Sequence, residues 1–506
     1  MDTFVPTVPL SLSERLIWRD DSFHASAELK GNVELDLLFR QTAKRLGRIV
    51  PCRWYTPKDF ESRFGIRFAT QDSQRENAVI ESIIDLLHTA QQQKVSDIHI
   101  TYYGPYTTIA FRKLGLLGDY KTLNGQEGLE LITGLFQSYI SQTESNFSRY
   151  SRYDGRIADR KFLPDGLFAV RLHSEPIQSP LIPEPGVSVA MRLLCDATSA
   201  HGPLKKRVAS LGFTSKQQDM LQWLTERSGL TIIAGATGHG KSTLLKNVME
   251  AMAEYCPTKN YWSMEDPPEY AMRGVKQALF ISKCSTEGER LKVILDALAG
   301  LLRSDLDVGM VGEIRYPEVA QAAISAAITG HTIWSTLHAS SAIGIIARLR
   351  EMGISMSSIC NDGVLNGLVY QRLMPILCPE CKQPLVKNPK AISEQLWNRL
   401  QKAYQHGEID NIFVRNRAGC SSCSGMGIVG LKVAAEVIPV NNDLITRIKR
   451  NDLRAATRFW IAEMDGMTHV AHARQRIAAG EVDPALAEER MGLTLDHDLQ
   501  LMKEAS

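Results

Sequence analysis

Residues 235–242 read GATGHGKS and match the pattern G-x-x-x-x-G-K-[ST] at every fixed position. The apolar stretch LTIIAG (230–235) precedes them, and a helix is predicted from about Lys241. A strand, a glycine-rich turn and a helix in this order predict a phosphate-binding loop at the start of an α/β nucleotide-binding domain. In such a loop Lys241 reaches the β- and γ-phosphates and Ser242 binds Mg²⁺. The predicted nucleotide-binding residues are Gly235, Ala236, Thr237, Gly238, His239, Gly240, Lys241, Ser242 and Thr243.

Length, composition and charge narrow the class of protein. The chain has 506 residues, 44% apolar and 23% charged, as in soluble globular proteins. At roughly 100–200 residues per domain, this length predicts two to four domains. The net charge of +2 gives no overall argument for nucleic-acid binding. Because the sequence shows neither a secretory signal nor the roughly 20 apolar residues that span a bilayer, we expect a cytoplasmic protein.

Hydrophobic periodicity predicts the domain organisation. Helical spacing from Glu76 to Gln93 is followed by strand-like alternation from Val95 and again in GVSVAMRLL (186–194), which predicts an α+β domain. A polar, loop-like stretch then separates this domain from the nucleotide-binding one. The predicted segments are a variable region 1–75, an α+β domain 76–194, a linker 195–208, the P-loop domain 209–373, a cysteine module 374–430 and a mostly helical region 431–506.

Three segments after the loop place polar side chains next to predicted strands. DVGMVGEIR (307–315) predicts a buried strand that brings its glutamate beside the phosphates, for magnesium or for the attacking water. SMEDPPEY (263–270) carries three carboxylates at a strand end, and TGHTIWSTLHA (329–339) carries two histidines around an apolar strand. Taken singly, an acidic turn or a lone histidine is more often structural than catalytic. The side chains concerned are Glu265, Asp266, Glu269, Glu313, His331 and His338.

In this order the four segments resemble the type II secretion and type IV pilus ATPase superfamily. Its members carry a Walker A loop, an Asp box, a Walker B segment ending in GEIR and a His box. Upstream, SDIHI (96–100), YDGRI (153–157), AVRLHSEP (169–176) and VAMRLL (189–194) also match in order, and the resemblance extends over about residues 76–480. It implies a RecA-like motor domain preceded by a PAS-like α+β domain, with ATP bound between them.

The resemblance also implies catalytic roles. Either Glu265 or Glu313 orients or deprotonates the water that attacks the γ-phosphate, and the sequence leaves this choice open. His338 would sense the γ-phosphate, and His331 is the weaker candidate. Arginines of the N-terminal domain approach the nucleotide in this family, since a planar cation can neutralise the loosened γ-phosphoryl group. Three arginines occupy matching positions, and each could instead be a surface arginine on a strand: Arg156, which is not favoured, and the favoured Arg171 and Arg192.

Four residues depart from the usual pattern of that family. Ala236 and His239 replace the proline and serine of GPTGSGKST, Tyr316 follows GEIR where aspartate is usual, and Pro375 interrupts the basic residue after QRL. None of them removes a phosphate or magnesium ligand, so hydrolysis is expected and only the subfamily is left open. We expect His239 to face solvent or a neighbouring subunit.

Cysteine usage predicts a metal site. Five of the nine cysteines are scattered (Cys52, Cys195, Cys256, Cys284 and Cys360), whereas CPEC (378–381) and CSSC (420–423) are two CxxC pairs 38 residues apart. Such pairs can hold one tetrahedral structural Zn²⁺ through Cys378, Cys381, Cys420 and Cys423. The alternatives are four reduced structural cysteines or a redox CxxC, which needs only one pair. In the resembling family this module marks assembly and secretion ATPases and is generally missing from retraction motors.

The resemblance implies an ATPase that works as a homohexameric motor, peripheral to the inner membrane. Its partner would be an inner-membrane platform protein of a pilus or type II-like secretion system, reached through residues 1–75. The same motor could serve conjugation or DNA uptake. A nucleic-acid translocase would need an interleaved basic and aromatic tract, which the sequence lacks. An ATP-binding regulator without turnover is disfavoured by the intact Lys241, Ser242, Glu265 and Glu313.

Overall fold

A computed structural model gives the fold of residues 15–64, 67–137, 147–195, 202–266, 268–278, 286–405 and 407–503, together with positions 6 and 12. Within these residues the strands form sheets of three, six, seven and two strands. The strands are β1 (Leu16–Arg19), β2 (Ser22–Ser26), β3 (Cys52–Tyr55), β4 (Asp97–Tyr102), β5 (Tyr106–Lys113), β6 (Leu116–Asn124), β7 (Tyr153–Ile157), β8 (Leu167–Ile177), β9 (Gly186–Cys195), β10 (Gly229–Ala234), β11 (Tyr261–Met264), β12 (Lys276–Ala278), β13 (Val308–Val311), β14 (Thr332–Leu337), β15 (Leu365–Leu377), β16 (Gln383–Pro384), β17 (Phe413–Val414) and β18 (Ile428–Pro439).

The α-helices alternate with these strands in the motor domain and dominate the C-terminal region. They are Val33–Leu46, Pro57–Phe64, Arg67–Gln92, Gly125–Leu135, Leu204–Leu211, Ser215–Thr225, Lys241–Tyr255, Glu287–Leu302, Pro317–Ile328, Gly344–Glu351, Met356–Ile359, Glu394–Ala403, Asn442–Lys449, Leu453–Glu463, His469–Ala478, Pro484–Met491 and His497–Lys503. Among the described helices, none combines the length and the apolar character that a membrane span requires.

The six-stranded sheet is the core of the N-terminal domain. Its order is β6-β5-β4-β9-β8-β7, with every neighbouring pair antiparallel. Along β4 every second side chain is buried, which gives the sheet one apolar face. Helices Arg67–Gln92 and Gly125–Leu135 contribute to the core on that face. The helix predicted from Glu76 therefore begins earlier, at Arg67, and the likeness to PAS domains stays a prediction.

The seven-stranded sheet is the motor domain, in the order β12-β11-β13-β14-β10-β15-β18. All its neighbouring strands are parallel except β18, which runs antiparallel to β15. Every residue of β10, β13 and β14 is buried, as expected for parallel strands covered on both faces. The carboxyl ends of parallel strands meet at one edge of a sheet, and the phosphate-binding loop, Glu265, Glu313 and His338 all follow such ends.

Two elements differ from the predicted organisation. Strand β18 lies largely in the segment predicted to be mostly helical, yet it completes the motor sheet by pairing along β15. The cysteine module is thus an insertion between two paired strands. Helix Leu204–Leu211 begins inside the predicted linker, where its buried Leu204 and Val208 pack against the motor core. The sequence pattern did not predict this helix because most of its residues are polar and only one narrow face is apolar.

Candidate nucleotide site

The phosphate-binding loop connects β10 to helix Lys241–Tyr255. Gly240 has φ +78° at the start of this helix, a conformation that favours glycine. At Gly235 a Cβ atom would lie 2.6 Å from the backbone oxygen of Gln371, so the loop crosses β15 at a distance that only glycine permits. Lys241 Nζ donates hydrogen bonds to the backbone oxygens of Gly235 and Ala236, at 2.8 and 3.1 Å. Burial lowers the pKa of Lys241, although Glu313 opposes that shift.

A cavity of about 750 Å³ lies above the loop and is lined by both the N-terminal domain and the motor domain. Most residues predicted from the sequence for the nucleotide site line it. They are Thr237, Gly238, His239, Gly240, Lys241, Ser242, Thr243, Glu265, Glu313, His338, Arg171 and Arg192. Asp266 and Glu269 of the acidic segment line it as well. Sequence segments as far apart as those of Arg171 and His338 therefore converge on one cavity.

Glu265 follows directly after β11 and is only 9% exposed. Its Oε1 atom accepts hydrogen bonds from Ser263 Oγ and from Gln277 Nε2, both at 3.2 Å. Burial raises the pKa of Glu265 to about 7, and these hydrogen bonds only partly oppose that shift. A carboxyl group with a pKa near neutrality can accept a proton from water and release it again. No sequence pattern had indicated Gln277 as a partner.

Glu313 has a different environment at the end of β13. His338 Nε2 lies 2.9 Å from Glu313 Oε1, and Arg315 holds Glu313 Oε2 with Nη2 at 2.7 Å and Nε at 2.8 Å. Both oxygens of this carboxylate therefore have cationic or polar partners. The other His-box histidine, His331, lies at the opposite end of β14, where its Nδ1 atom contacts Thr329 Oγ1 at 2.9 Å, and it does not line the cavity.

Three arginines and one aspartate form a row across the N-terminal sheet. Arg156 pairs in register with Arg171, Arg171 with Arg192, and Arg192 with Asp97, on β7, β8, β9 and β4. Arg192 Nε lies 3.0 Å from Asp97 Oδ1, whereas Arg171 forms no ion pair within the described residues. Both line the cavity. Arg156 does not, and its guanidinium lies over the ring of Phe168 at 5.4 Å.

The surroundings of His239 contradict the expectation that it faces solvent, and the alternative of a neighbouring subunit stays a prediction. The residue is half-buried, and its Nδ1 atom accepts a hydrogen bond of 2.9 Å from the backbone N–H of Leu373 on β15. Its backbone oxygen accepts a second one, of 2.7 Å, from Gln371 Nε2. Burial, together with Arg372, Arg490 and Lys241, lowers the pKa of His239 to about 4. The partners lie more than 130 residues away in sequence, so local pattern could not reveal them.

Arg490 is a cavity residue that sequence reasoning missed altogether. It belongs to helix Pro484–Met491 of the C-terminal region, and its guanidinium packs over Gly115 of the β5–β6 turn, where a Cβ atom would lie 2.5 Å from Nη2. The C-terminal region therefore lines the cavity together with the N-terminal domain and the motor domain. No local pattern distinguishes this arginine from others on exposed helices.

The four cysteines of the two CxxC pairs come together. All four sulfurs lie within 4.8 Å of one another, with Sγ–Sγ distances of 3.8 Å for Cys378–Cys420 and Cys420–Cys423 and 3.9 Å for Cys381–Cys423. A tetrahedral Zn²⁺ with thiolate bonds near 2.3 Å requires sulfurs about 3.8 Å apart. Burial would raise the pKa of Cys423, but hydrogen bonds led by the backbone N–H groups of Cys420 and Gly427 lower it to about 6. The cluster fits a zinc ion.

A P-loop beside two strand-end glutamates, beneath a row of arginines, places the chain in the class of P-loop nucleotide-hydrolysing proteins. A sequence profile of the type II/IV secretion system protein family matches residues 72–490. The chain belongs to this family. It is therefore an ATPase, as the resemblance predicted, and the motor function predicted with it is confirmed at the level of a secretion ATPase.

Individual relatives agree with that assignment. The chain is similar to the type II secretion system protein E of Pectobacterium carotovorum, with 32% identity over 75% of this chain and 69% of the relative. It is also similar to the type IV pilus assembly ATPase PilB of Thermus thermophilus, with 28% identity over 73% and 38% of the respective chains. In fold it matches the ATPase DotB of Legionella pneumophila, with a TM-score of 0.55 and 17% identity over 80% of this chain and 94% of that one.

Proposed function

We propose that this ATPase is a homohexameric motor that drives pilus assembly or type II-like secretion through an inner-membrane platform protein. It would act from the cytoplasmic side and be attached to the membrane through that partner. One observation carries the proposal: the cavity joins the P-loop to the arginine row of the N-terminal domain. A nucleotide bound there would contact both domains, so its hydrolysis would change the contacts that stabilise one arrangement of the two domains. The alternative is that the same motor drives a conjugation or DNA-uptake system.

In the proposed reaction the loop binds the phosphate chain. Backbone N–H groups of residues 238–241 would point at the β-phosphate, Lys241 would neutralise the β- and γ-oxygens, and Ser242 would supply a ligand for Mg²⁺. The magnesium ion would supply charge neutralisation between the β- and γ-phosphates. Glu313, whose two oxygens are already engaged by His338 and Arg315, is not suited to accept a proton, and we propose that it acts through these two contacts.

Glu265 is the proposed general base. It lies at the carboxyl edge of the sheet, lines the cavity and, with its raised pKa, can take up a proton near neutral pH. Water attacks the γ-phosphorus, its proton passes to Glu265, and the bond from the γ-phosphorus to the bridging oxygen breaks to leave ADP and phosphate. His338 would respond to the presence or absence of the γ-phosphate through its contact with Glu313.

Arg171 and Arg192 are proposed to stabilise the charge that develops on the transferred phosphoryl group. Arg171 suits this role because it lines the cavity and no carboxylate of the described residues forms an ion pair with it. Arg192 is held in place by Asp97, which fixes the direction of its guanidinium. Both arginines stand on strands, so the N-terminal domain presents them as a rigid surface towards the loop.

The cysteine cluster is proposed to bind a structural Zn²⁺ that folds the insertion between β15 and β18. The four sulfurs would fill all four tetrahedral positions and leave none open for a substrate. Four reduced cysteines without metal are the remaining alternative, and metal analysis of the purified protein distinguishes them.

Mass measurement in the presence of MgATP tests the hexamer directly. We expect the full chain to sediment as a hexamer and its ATPase rate per subunit to fall on dilution below the assembly range. A chain that hydrolyses MgATP at full rate as a monomer would contradict the motor proposal. Reconstitution with a platform protein that raises the rate would further support it.

A further inference from the structure

The phosphate-binding loop lies directly on β15 at a place where that strand has lost its parallel neighbour. Strands β10 and β15 pair only as far as Ala234 and Tyr370, after which the chain of β10 turns into the loop. On its other edge β15 pairs with β18. The N–H of Leu373 points away from β18 and towards the loop, so beyond Ala234 no strand of the described residues accepts its hydrogen bond.

His239 fills this gap in the sheet. Its imidazole Nδ1 accepts from Leu373 N at 2.9 Å, and its backbone oxygen accepts from Gln371 Nε2 at 2.7 Å. The two bonds are reciprocal, since a side chain of each segment meets the backbone of the other. They hold residue 239 at a fixed distance from β15, while Gly235 and Gly240 allow the loop to approach the strand closely.

From this geometry we propose that His239 is a positioning residue that fixes the phosphate-binding loop to β15 through the N–H of Leu373. The inference rests on the proposed role of the loop in binding phosphates. The loop presents its backbone N–H groups to the phosphates, so its position relative to β15 sets the direction of those groups. The imidazole acts only in its neutral form, with Nδ1 unprotonated. Strand β15 continues to Leu377, immediately before Cys378, so the same bond joins the loop to the strand that enters the cysteine cluster.

Side-chain geometry provides matched variants for the test. In His239→Asn, an amide oxygen can take the place of Nδ1 and accept from Leu373. In His239→Gln the oxygen lies one bond further out, and His239→Ala removes the acceptor. We expect the Asn variant to keep the contact and the other two to lose it.

The experiment combines amide hydrogen exchange with steady-state kinetics on the full chain. In His239→Ala we expect exchange at Leu373 to accelerate about three- to tenfold, as for the loss of one hydrogen bond, while the β15 amides that face β10 stay protected. The KM for MgATP should rise by a similar factor, with a smaller change in kcat. The Asn variant should restore both values, and the Gln variant should resemble Ala.

Unchanged exchange at Leu373 in both the Ala and the Gln variants would overturn the proposal. So would an Asn variant that folds but behaves like Ala. If the Ala variant does not fold, the comparison of Asn with Gln carries the test alone. Exchange is measured without hydrolysis, so a failure of this inference can be distinguished from a failure of the proposed motor function.

Discussion

His338 Nε2 lies 2.9 Å from Glu313 Oε1, and this contact joins the end of β14 to the end of β13. It connects the His box with the Walker B segment inside one cavity. Arg315 holds the other oxygen of Glu313 at 2.7 Å, so the carboxylate lies between two cationic or potentially cationic side chains. The orientation of Glu313 therefore depends on His338.

Removing this imidazole should slow catalysis more than it weakens nucleotide binding. For His338→Ala we expect kcat for ATP hydrolysis to fall about ten- to hundredfold, the effect of losing one bond to a charged group. His331→Ala is the matched control, because His331 lies at the other end of the same strand and outside the cavity. Equal losses in the two variants would show that the effect is structural.

The pH dependence of hydrolysis should report Glu265. Its pKa in the folded protein is about 7, above the ordinary value of 4.5, because the side chain is buried. We therefore expect kcat/KM to rise with pH up to about 7, as the carboxylate forms, and Glu265→Gln to lower the rate at least about a hundredfold.

The raised pKa of Glu265 makes the folded state less stable as the pH rises, although the same rise in pH makes catalysis faster. Between pH 4.5 and about 7 the folded state retains a proton on Glu265 that the unfolded state has lost. The contribution of this group to the free energy of unfolding therefore decreases as the pH rises through this range. Chemical denaturation of wild type and Glu265→Gln at several pH values measures this contribution.

For the catalytic role of Glu265, a wild-type rate of hydrolysis that is independent of pH between 5 and about 8 would contradict its action as the base.

Loss of Arg171 should reduce turnover without unfolding the N-terminal domain. We expect Arg171→Ala to lower kcat by about a hundredfold, in the range found when one donor to a developing anion is removed. Arg152→Ala serves as control: Arg152 is an exposed arginine of the same domain, paired with Glu175 and absent from the cavity lining. A loss in the control comparable to that in Arg171→Ala would argue for a general effect of charge.

The cysteine cluster should hold one zinc ion per chain. Elemental analysis of the purified protein is expected to give a ratio near one, and Cys378→Ser should remove the metal and lower Tm by several degrees. Cys256→Ser, outside the cluster, should leave both unchanged. A metal-free wild type with the same Tm as the Cys378 variant would support four reduced structural cysteines instead.

The sequence predicts those parts of the site that depend on local pattern. The loop 235–242, Glu265 and Glu313 each follow a short apolar strand, and parallel strands bring their carboxyl ends to one edge, so their meeting could be expected. The contacts of His239 with Leu373, of Glu265 with Gln277 and of Arg490 with Gly115 could not. Each depends on the path of a distant segment. Strand β18 was missed for the same reason, since its pairing with β15 follows an insertion of about fifty residues.

The cavity above the P-loop is the proposed site of ATP hydrolysis. Phosphate release from MgATP by the wild-type chain and by Lys241→Ala tests it most directly, with Lys205→Ala as a control lysine that pairs with Asp219 away from the cavity. We predict steady hydrolysis by the wild type and the Lys205 variant, and a loss of at least about a hundredfold in Lys241→Ala. Hydrolysis by Lys241→Ala at the wild-type rate would contradict the claim.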